Sequence, residues 1–117
     1  MKIVIVDDEP LMGEIIESYL SSLEDTQFTK FTNIQEAYSF INSQPIDLII
    51  SDFYMPEGSG LDLITQLRDN KNLTPVILIS GSHIQSHDSL KFSAFIKKPC
   101  PPLELLNLVK SLTILSR

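Results

Sequence analysis

Acidic side chains follow two short apolar runs of the sequence, at the points where those runs end. Asp7, Asp8 and Glu9 come directly after the first run, and Asp52 follows the second. If the two runs are neighbouring strands, three aspartate carboxylates meet, and they repel one another unless a cation neutralises them. Oxygen ligands without histidine or cysteine favour Mg²⁺ over zinc. The spacing therefore predicts an Mg²⁺ site formed by Asp7, Asp8 and Asp52.

A hydroxyl group and an ammonium group follow two later apolar runs. Ser80 comes after residues 76–79, and Lys98 comes after residues 95–96. Both groups donate hydrogen bonds to anions, and beside a metal and carboxylates they are typical of phosphoryl-group chemistry. Asp52 is then the natural nucleophile, because a carboxylate can form an acyl phosphate.

Alternating strands and helices are expected to position these side chains. The candidate strands are residues 3–6, 28–32, 48–50, 76–79 and 95–96. The candidate helices begin at Pro10, at Asn33 with Glu36 as a capping box, at Ser59 with Asp62, within residues 82–92 and at Pro101. Strands that alternate with helices form parallel βαβ units. The pattern predicts a three-layer flavodoxin-like (βα)5 fold, a class of α/β fold with strand order 2-1-3-4-5.

Each motif alone also has an ordinary structural explanation. The aspartate pair before Pro10 is typical of a turn or a helix cap, and Ser80 with Gly81 is an ordinary turn. Lys98 and its neighbouring lysine are typical of a solvated pair, and Asp52 can simply end a strand in a loop. In the predicted fold, however, all these groups lie at the C-terminal ends of strands, where such sheets bind ligands. Their combination favours the functional interpretation.

The order of these motifs resembles the receiver domain of response regulators, the CheY-like domain of two-component phosphorelay systems. The resemblance covers nearly the whole chain, with 44 residues from Asp8 to Asp52. The motifs that carry it are Val6-Asp7-Asp8-Glu9, Asp52-Phe53-Tyr54-Met55-Pro56 with Gly60, Ser80, and Lys98-Pro99. It implies that Asp52 is the phosphoacceptor. It also implies that Mg²⁺ is bound directly by Asp8, mostly through water by Asp7, and by Asp52 and the Tyr54 carbonyl.

The resemblance assigns roles to four further positions. Ser80 and Lys98 would each contact a phosphoryl oxygen, and Phe95 lies at the aromatic switch position that moves together with Ser80. The Lys98–Pro99 peptide bond would be cis, as proline tolerates. The phosphoryl donor would be a sensor histidine kinase or a histidine phosphotransfer protein.

Two stretches of the sequence depart from the family pattern. Lys98 comes only 18 positions after Ser80, which predicts a short or irregular fourth helix and puts the usual output surface in doubt. Phe95 lacks the hydroxyl of the common tyrosine. Tyr54 stands two residues past Asp52, where we hypothesise that it screens the acyl phosphate from water.

Other polar and apolar features have weaker functional interpretations. His83 and His87 have metal-binding spacing on a helix, but a solvated face is the better interpretation. Cys100 is better explained as a buried small hydrophobe than as a redox sensor. The last helix, up to Leu115, carries more apolar residues than one stripe needs. A partner or homodimer face and simple packing explain this equally well.

The bulk composition narrows the class of protein. A chain of 117 residues with 43% hydrophobic residues predicts one domain over residues 1–117. A net charge of −6 argues against nucleic-acid binding. One cysteine and the lack of a long apolar run predict a cytoplasmic protein without membrane segments.

The sequence thus predicts a signalling switch rather than an enzyme: Asp52 takes a phosphoryl group and the chain changes its partner binding. One alternative is a receiver cut from a longer regulator whose output domain would follow Arg117. Another is an Mg²⁺-dependent phosphatase, although such an enzyme needs an acid where Tyr54 stands. A flavodoxin-like cofactor binder would need a glycine-rich phosphate loop after the first strand, and acids occupy that position. A pseudo-receiver that takes no phosphate conflicts with the complete set of acid, hydroxyl and lysine.

Overall fold

The computed structural model describes residues 1–55, 58–81 and 94–115, and of residues 114 and 115 only the backbone. Its strands are β1 (Lys2–Val6), β2 (Gln27–Phe31), β3 (Leu48–Asp52), β4 (Tyr54–Met55), β5 (Gly58–Ser59), β6 (Val76–Ser80) and β7 (Ala94–Lys97). Its helices are α1 (Pro10–Tyr19), α2 (Ile34–Ser43), α3 (Gly60–Asp69) and α4 (Pro102–Leu115). The predicted fourth helix, within residues 82–92, falls outside the described residues.

The five long strands form one parallel sheet in the order β2-β1-β3-β6-β7. The short strands β4 and β5 pair only with each other, as an antiparallel ribbon after β3. Without them the order is 2-1-3-4-5, so the predicted fold class is confirmed. The register pairs Val6 with Ser51 and Asp52 with Ile79, which brings the C-terminal ends of β1, β3 and β6 to one edge of the sheet.

The core consists of two layers, one on each face of the sheet. Alternate residues of each strand point to opposite faces, so Val4 and Ile49 pack beneath α2 and α3, while Ile3 and Ile50 pack beneath α1 and α4. Every residue of β3 and β6 is buried. Strands covered on both faces are mostly apolar, which is why residues 48–50 and 76–79 are visible in the sequence as continuous apolar runs.

Local signals set the starts of the helices. Pro10 is the first residue of α1, and the Asn33 side chain accepts a hydrogen bond from the Glu36 N–H over 2.9 Å. Ser59 and Asp62 form a reciprocal capping box in which each side chain accepts from the other's backbone N–H. Such caps stabilise a helix by about 1 kcal/mol each. The capping box therefore makes α3 begin directly after the loop that follows Asp52.

The last helix, α4, packs most of its apolar side chains against the sheet. Leu105 and Val109 are fully buried, and Leu106, Leu108 and Leu112 lie against the same core layer. Among the α4 side chains that the structure describes, Leu103 is the exposed leucine, with 67% of its surface accessible. Much of the apolar content of α4 is thus explained by packing, and a partner face on this helix stays a prediction. Within the described parts of the chain, no helix is long and apolar enough to cross a membrane.

Candidate functional site

Three aspartates converge at the C-terminal edge of the sheet. Asp7 and Asp8 follow β1, and Asp52 ends the neighbouring strand β3. One carboxylate oxygen from each of the three lies within 4.8 Å of the others. Asp7 and Asp52 are buried and Asp8 is half-buried. A cluster of hard oxygen donors with this spacing fits a small divalent cation such as Mg²⁺, because the cation would offset the repulsion.

The electrostatics of Asp7 reflect this crowding. The pKa of Asp7 is raised from 3.8 to about 6, chiefly by burial and to a smaller extent by the negative charges of Asp52 and Asp8. A hydrogen bond from the Glu9 N–H to Asp7 Oδ1, 2.9 Å long, and the charge of Lys98 act in the opposite direction on that pKa. The folded protein therefore disfavours a third negative charge at the site unless a cation compensates for it.

Lys98 provides positive charge next to Asp52. Its Nζ lies 3.2 Å from Asp52 Oδ1; the Asp52 side chain is 8% exposed and that of Lys98 is 33% exposed. The Lys98 N–H donates a hydrogen bond to the Ser80 carbonyl oxygen over 2.7 Å. The Lys98–Pro99 peptide is cis, as the resemblance implied. The lysine is thus anchored to the end of β6 while its ammonium group reaches across to β3.

The remaining predicted residues lie around the same edge at different depths. Ser80 ends β6 and is completely buried. Phe95 lies on β7, opposite Leu78 in the register, and is half-buried against the core layer under α2 and α3. Tyr54 is 58% exposed, and its ring meets the Phe53 ring edge-on with centroids 4.7 Å apart. The Tyr54 ring is therefore largely accessible to solvent, while its backbone belongs to the β4–β5 ribbon.

Two residues that the sequence analysis did not single out for their contacts also touch the acceptor. Ser51 donates a hydrogen bond from its hydroxyl to the Asp52 carbonyl oxygen, and Gly60 packs against the same carbonyl. The signal available in the sequence was a serine inside an otherwise apolar strand next to the candidate nucleophile. His83 and His87 lie outside the described residues.

Cys100 is half-buried just after the cis proline. Burial, together with a smaller contribution from the negative charge of Glu104, raises the pKa of its thiol to about 11. A thiol with so high a pKa carries little thiolate at neutral pH and reacts slowly. The structure thus favours the interpretation of Cys100 as a small packing residue.

The fold and the site together define a flavodoxin-like α/β domain with a cluster of three aspartates at the switch in strand order. Comparison with known families gives the particular family. The model of the response regulator receiver domain matches residues 3–110. The chain therefore belongs to the response regulator receiver domain family, the phosphorylation-dependent switches of two-component systems.

Individual relatives agree with this assignment. The regulatory protein VanR of Enterococcus faecium is 37% identical over 114 residues, which cover 94% of this chain and 48% of VanR. The chain thus spans about half the length of this curated relative. The structure of the response regulator TrrA of Thermotoga maritima was solved in complex with Mg²⁺-BeF and is 30% identical in sequence to this chain. The two structures match with a TM-score of 0.81 over 95% of this chain and 97% of TrrA. The receiver domain of the Francisella response regulator 1452 matches with a TM-score of 0.88 over 99% of this chain and 98% of that domain. At 24% sequence identity, this similarity supports the fold and nothing more.

Proposed function

We propose that Asp52 accepts a phosphoryl group from a phosphohistidine of a sensor histidine kinase or a histidine phosphotransfer protein. The observation that carries this proposal is the position of the Asp52 carboxylate, 3.2 Å from the Lys98 ammonium group and grouped with two further aspartates. A nucleophile, a cation site and an anion donor are the parts that phosphoryl transfer needs.

In this mechanism an Asp52 carboxylate oxygen attacks phosphorus. The new oxygen–phosphorus bond forms as the phosphorus–nitrogen bond of the donor histidine breaks, and the leaving imidazole takes up a proton. Asp8, Asp52 and the Tyr54 carbonyl would hold Mg²⁺ directly, and Asp7 mostly through water. When bound, Mg²⁺ would neutralise charge on the phosphoryl oxygens and the carboxylates. TrrA, the relative in complex with Mg²⁺-BeF, supports this choice of metal.

The signal would arise from the groups around the new acyl phosphate. Lys98 exchanges its contact with Asp52 for a phosphoryl oxygen, and the Ser80 hydroxyl binds another. Phe95 would move together with Ser80, as the resemblance to the receiver family implies, and the two residues lie on the adjacent strands β7 and β6. The changed surface then alters the binding of an output partner, or of a second copy through α4.

The wider biology follows from the same proposal. The protein acts as one domain over residues 1–117 in the cytoplasm and assists only its own phosphorylation and dephosphorylation. It binds neither nucleic acid nor membrane by itself. Because VanR is about twice as long as the matched region, a further output domain is the alternative route for the signal. The phosphatase alternative is not favoured, since Tyr54 stands where a second acid is needed.

The proposal is tested by intact mass spectrometry after incubation with phosphoramidate and Mg²⁺. We expect the native protein to gain one phosphoryl group, and we expect the gain to disappear with EDTA or in the Asp52→Asn variant. A native protein that gains nothing under these conditions is a pseudo-receiver, and the proposal is then wrong. A gain that persists in Asp52→Asn would move the acceptor to another residue.

A further inference from the structure

Ser51 is an unexpected residue in the strand that carries the acceptor. β3 has the sequence Leu-Ile-Ile-Ser-Asp, and every residue in it is buried. Ser51 itself has 0% of its surface exposed. A hydroxyl group in such a place is costly unless it is hydrogen-bonded, and an aliphatic side chain would fill the strand position more favourably. The serine therefore needs a reason other than core packing.

The Ser51 hydroxyl donates its hydrogen bond to the main-chain carbonyl oxygen of Asp52, with the two oxygens 3.0 Å apart. The peptide that follows is held as well. The Phe53 N–H donates to the Ile79 carbonyl oxygen over 2.8 Å, and the Gly60 N–H donates to the Phe53 carbonyl oxygen over 2.7 Å. The two peptide units after the acceptor are thus fixed by one side-chain bond and two backbone bonds.

Gly60, the first residue of α3, closes this arrangement from above. A Cβ atom at position 60 would lie 2.8 Å from the Asp52 carbonyl oxygen, 3.2 Å from Ser51 Oγ and 2.6 Å from a methyl group of Leu78. The glycine lets the helix rest directly on the acceptor peptide. Within this contact, the Asp52 carbonyl group has little room to rotate towards α3.

We propose that Ser51 is a positioning residue for phosphoryl transfer. Its hydroxyl fixes the peptide plane between Asp52 and Phe53, and so sets both the acceptor carboxylate and the Tyr54 carbonyl two residues later. This inference rests on the proposed role of Asp52 as phosphoacceptor. Reacting groups must be held within a fraction of an ångström, and a misplacement of about 1 Å can cost roughly 100-fold in rate.

The Ser51→Ala variant tests the proposal. We expect the rate of phosphorylation by phosphoramidate at saturating Mg²⁺ to fall roughly tenfold. The Mg²⁺ affinity, measured by calorimetric titration without phosphodonor, should fall as well. Hydrogen exchange at the Phe53 and Gly60 amides should become faster. All three measurements are made at a temperature where circular dichroism shows both proteins fully folded.

Thr113→Val is a matched control elsewhere in the chain. Thr113 is also buried, at 5% exposure, and its hydroxyl donates to the Val109 carbonyl oxygen over 2.7 Å within α4. The variant removes a buried hydroxyl-to-carbonyl bond in a different element. We expect it to lower the melting temperature about as much as Ser51→Ala but to leave the phosphorylation rate and the Mg²⁺ affinity unchanged.

The outcomes separate this inference from the proposed function. A Ser51→Ala protein with native rate and native Mg²⁺ affinity overturns the positioning role, as does an equal loss of rate in Thr113→Val. If the native protein takes no phosphoryl group, the proposed function fails and the metal titration decides the question for Ser51. Weaker Mg²⁺ binding by Ser51→Ala then still supports positioning, and unchanged binding contradicts it.

Discussion

The two edges of the central sheet use buried and partly buried polar groups in opposite ways. At the N-terminal edge of β6, Arg68 Nη1 donates to the carbonyl oxygens of Asn72 and Thr74 at 2.9 and 3.0 Å. The Asn72 side chain in turn accepts from the backbone N–H and the hydroxyl of Thr74. At the C-terminal edge, three carboxylates face one ammonium group from Lys98.

Burial shifts a pKa towards the neutral form at both edges: the Arg68 guanidinium has a lowered pKa and the Asp7 carboxyl has a raised one. The difference lies in the partners. Arg68 donates hydrogen bonds to carbonyl oxygens of the protein itself, so its charge needs no ligand. Asp7 lies beside two further carboxylates, so the negative charge at its edge is neutralised only when a cation binds. Buried polar groups that complete one another stabilise a fold, whereas those left in excess mark a binding site.

The largest effect is expected from removing the positive charge at the C-terminal edge. Lys98→Gln should slow phosphorylation of Asp52 by phosphoramidate by roughly 100-fold, because a donor to the charge that develops in transfer is lost. Lys98→Arg retains the charge and should recover part of the rate. Mass spectrometry over time gives both rates. Equal rates for Lys98→Gln and the native protein would contradict a role for Lys98 in transfer.

The second largest effect is expected in the pH dependence of folding stability, measured without Mg²⁺. The pKa of Asp7 is raised from 3.8 to about 6 on folding, so the folded state binds this proton more tightly than the unfolded chain. The stability from Asp7 is fully present below pH about 4 and is lost as the pH rises through about 6, by up to about 3 kcal/mol. Urea unfolding at several pH values measures it.

The Asp7→Asn variant is the control, since it cannot ionise and should lose this slope. Added Mg²⁺ should bind the deprotonated form, so its affinity should decrease as the pH falls through about 6. A native slope equal to that of Asp7→Asn would show that the carboxyl titrates alike in both states.

At the opposite edge, Arg68→Met should lower the free energy of unfolding by about 2 kcal/mol, because two carbonyl groups lose a charged donor. The phosphorylation rate should stay native when measured well below the melting temperature. Urea unfolding and the mass assay check the two parts of this prediction. If Arg68→Met slows phosphorylation as much as Lys98→Gln does, the two edges do not differ in function as we infer.

The smallest effect is expected from the exposed ring of Tyr54. Tyr54→Ala should shorten the lifetime of the acyl phosphate a few-fold, because water reaches the phosphoryl group more easily. Tyr54→Phe retains the ring and should keep the native lifetime. The decay of the phosphorylated mass after removal of the donor measures both. If Tyr54→Ala loses phosphate no faster than the native protein, the hypothesis that Tyr54 screens the acyl phosphate from water is wrong.

The sheet could be predicted from sequence because parallel strands buried on both faces consist mostly of apolar residues. β2 is an edge strand with exposed residues, and its predicted span at residues 28–32 was one residue late. The β4–β5 ribbon was missed, since pairs of only two residues show no period. The carboxylates could be placed at one edge by strand order alone.

Contacts within the site could not be obtained in that way. The role of Ser51 depends on a hydroxyl direction, and the raised pKa of Asp7 depends on its depth of burial. Both depend on how β1 and α3 pack against β3 in three dimensions. A list of residues at strand ends contains no such information.

The contact between α3 and the acceptor peptide also limits how this domain tolerates variation. In a library with all twenty residues at position 60, every side chain other than hydrogen meets the Asp52 carbonyl oxygen at 2.8 Å. That obstacle is main chain in a buried strand, so it cannot move aside as a surface side chain can. Selection for a working switch should therefore recover glycine alone at position 60, although this residue carries no group that could react.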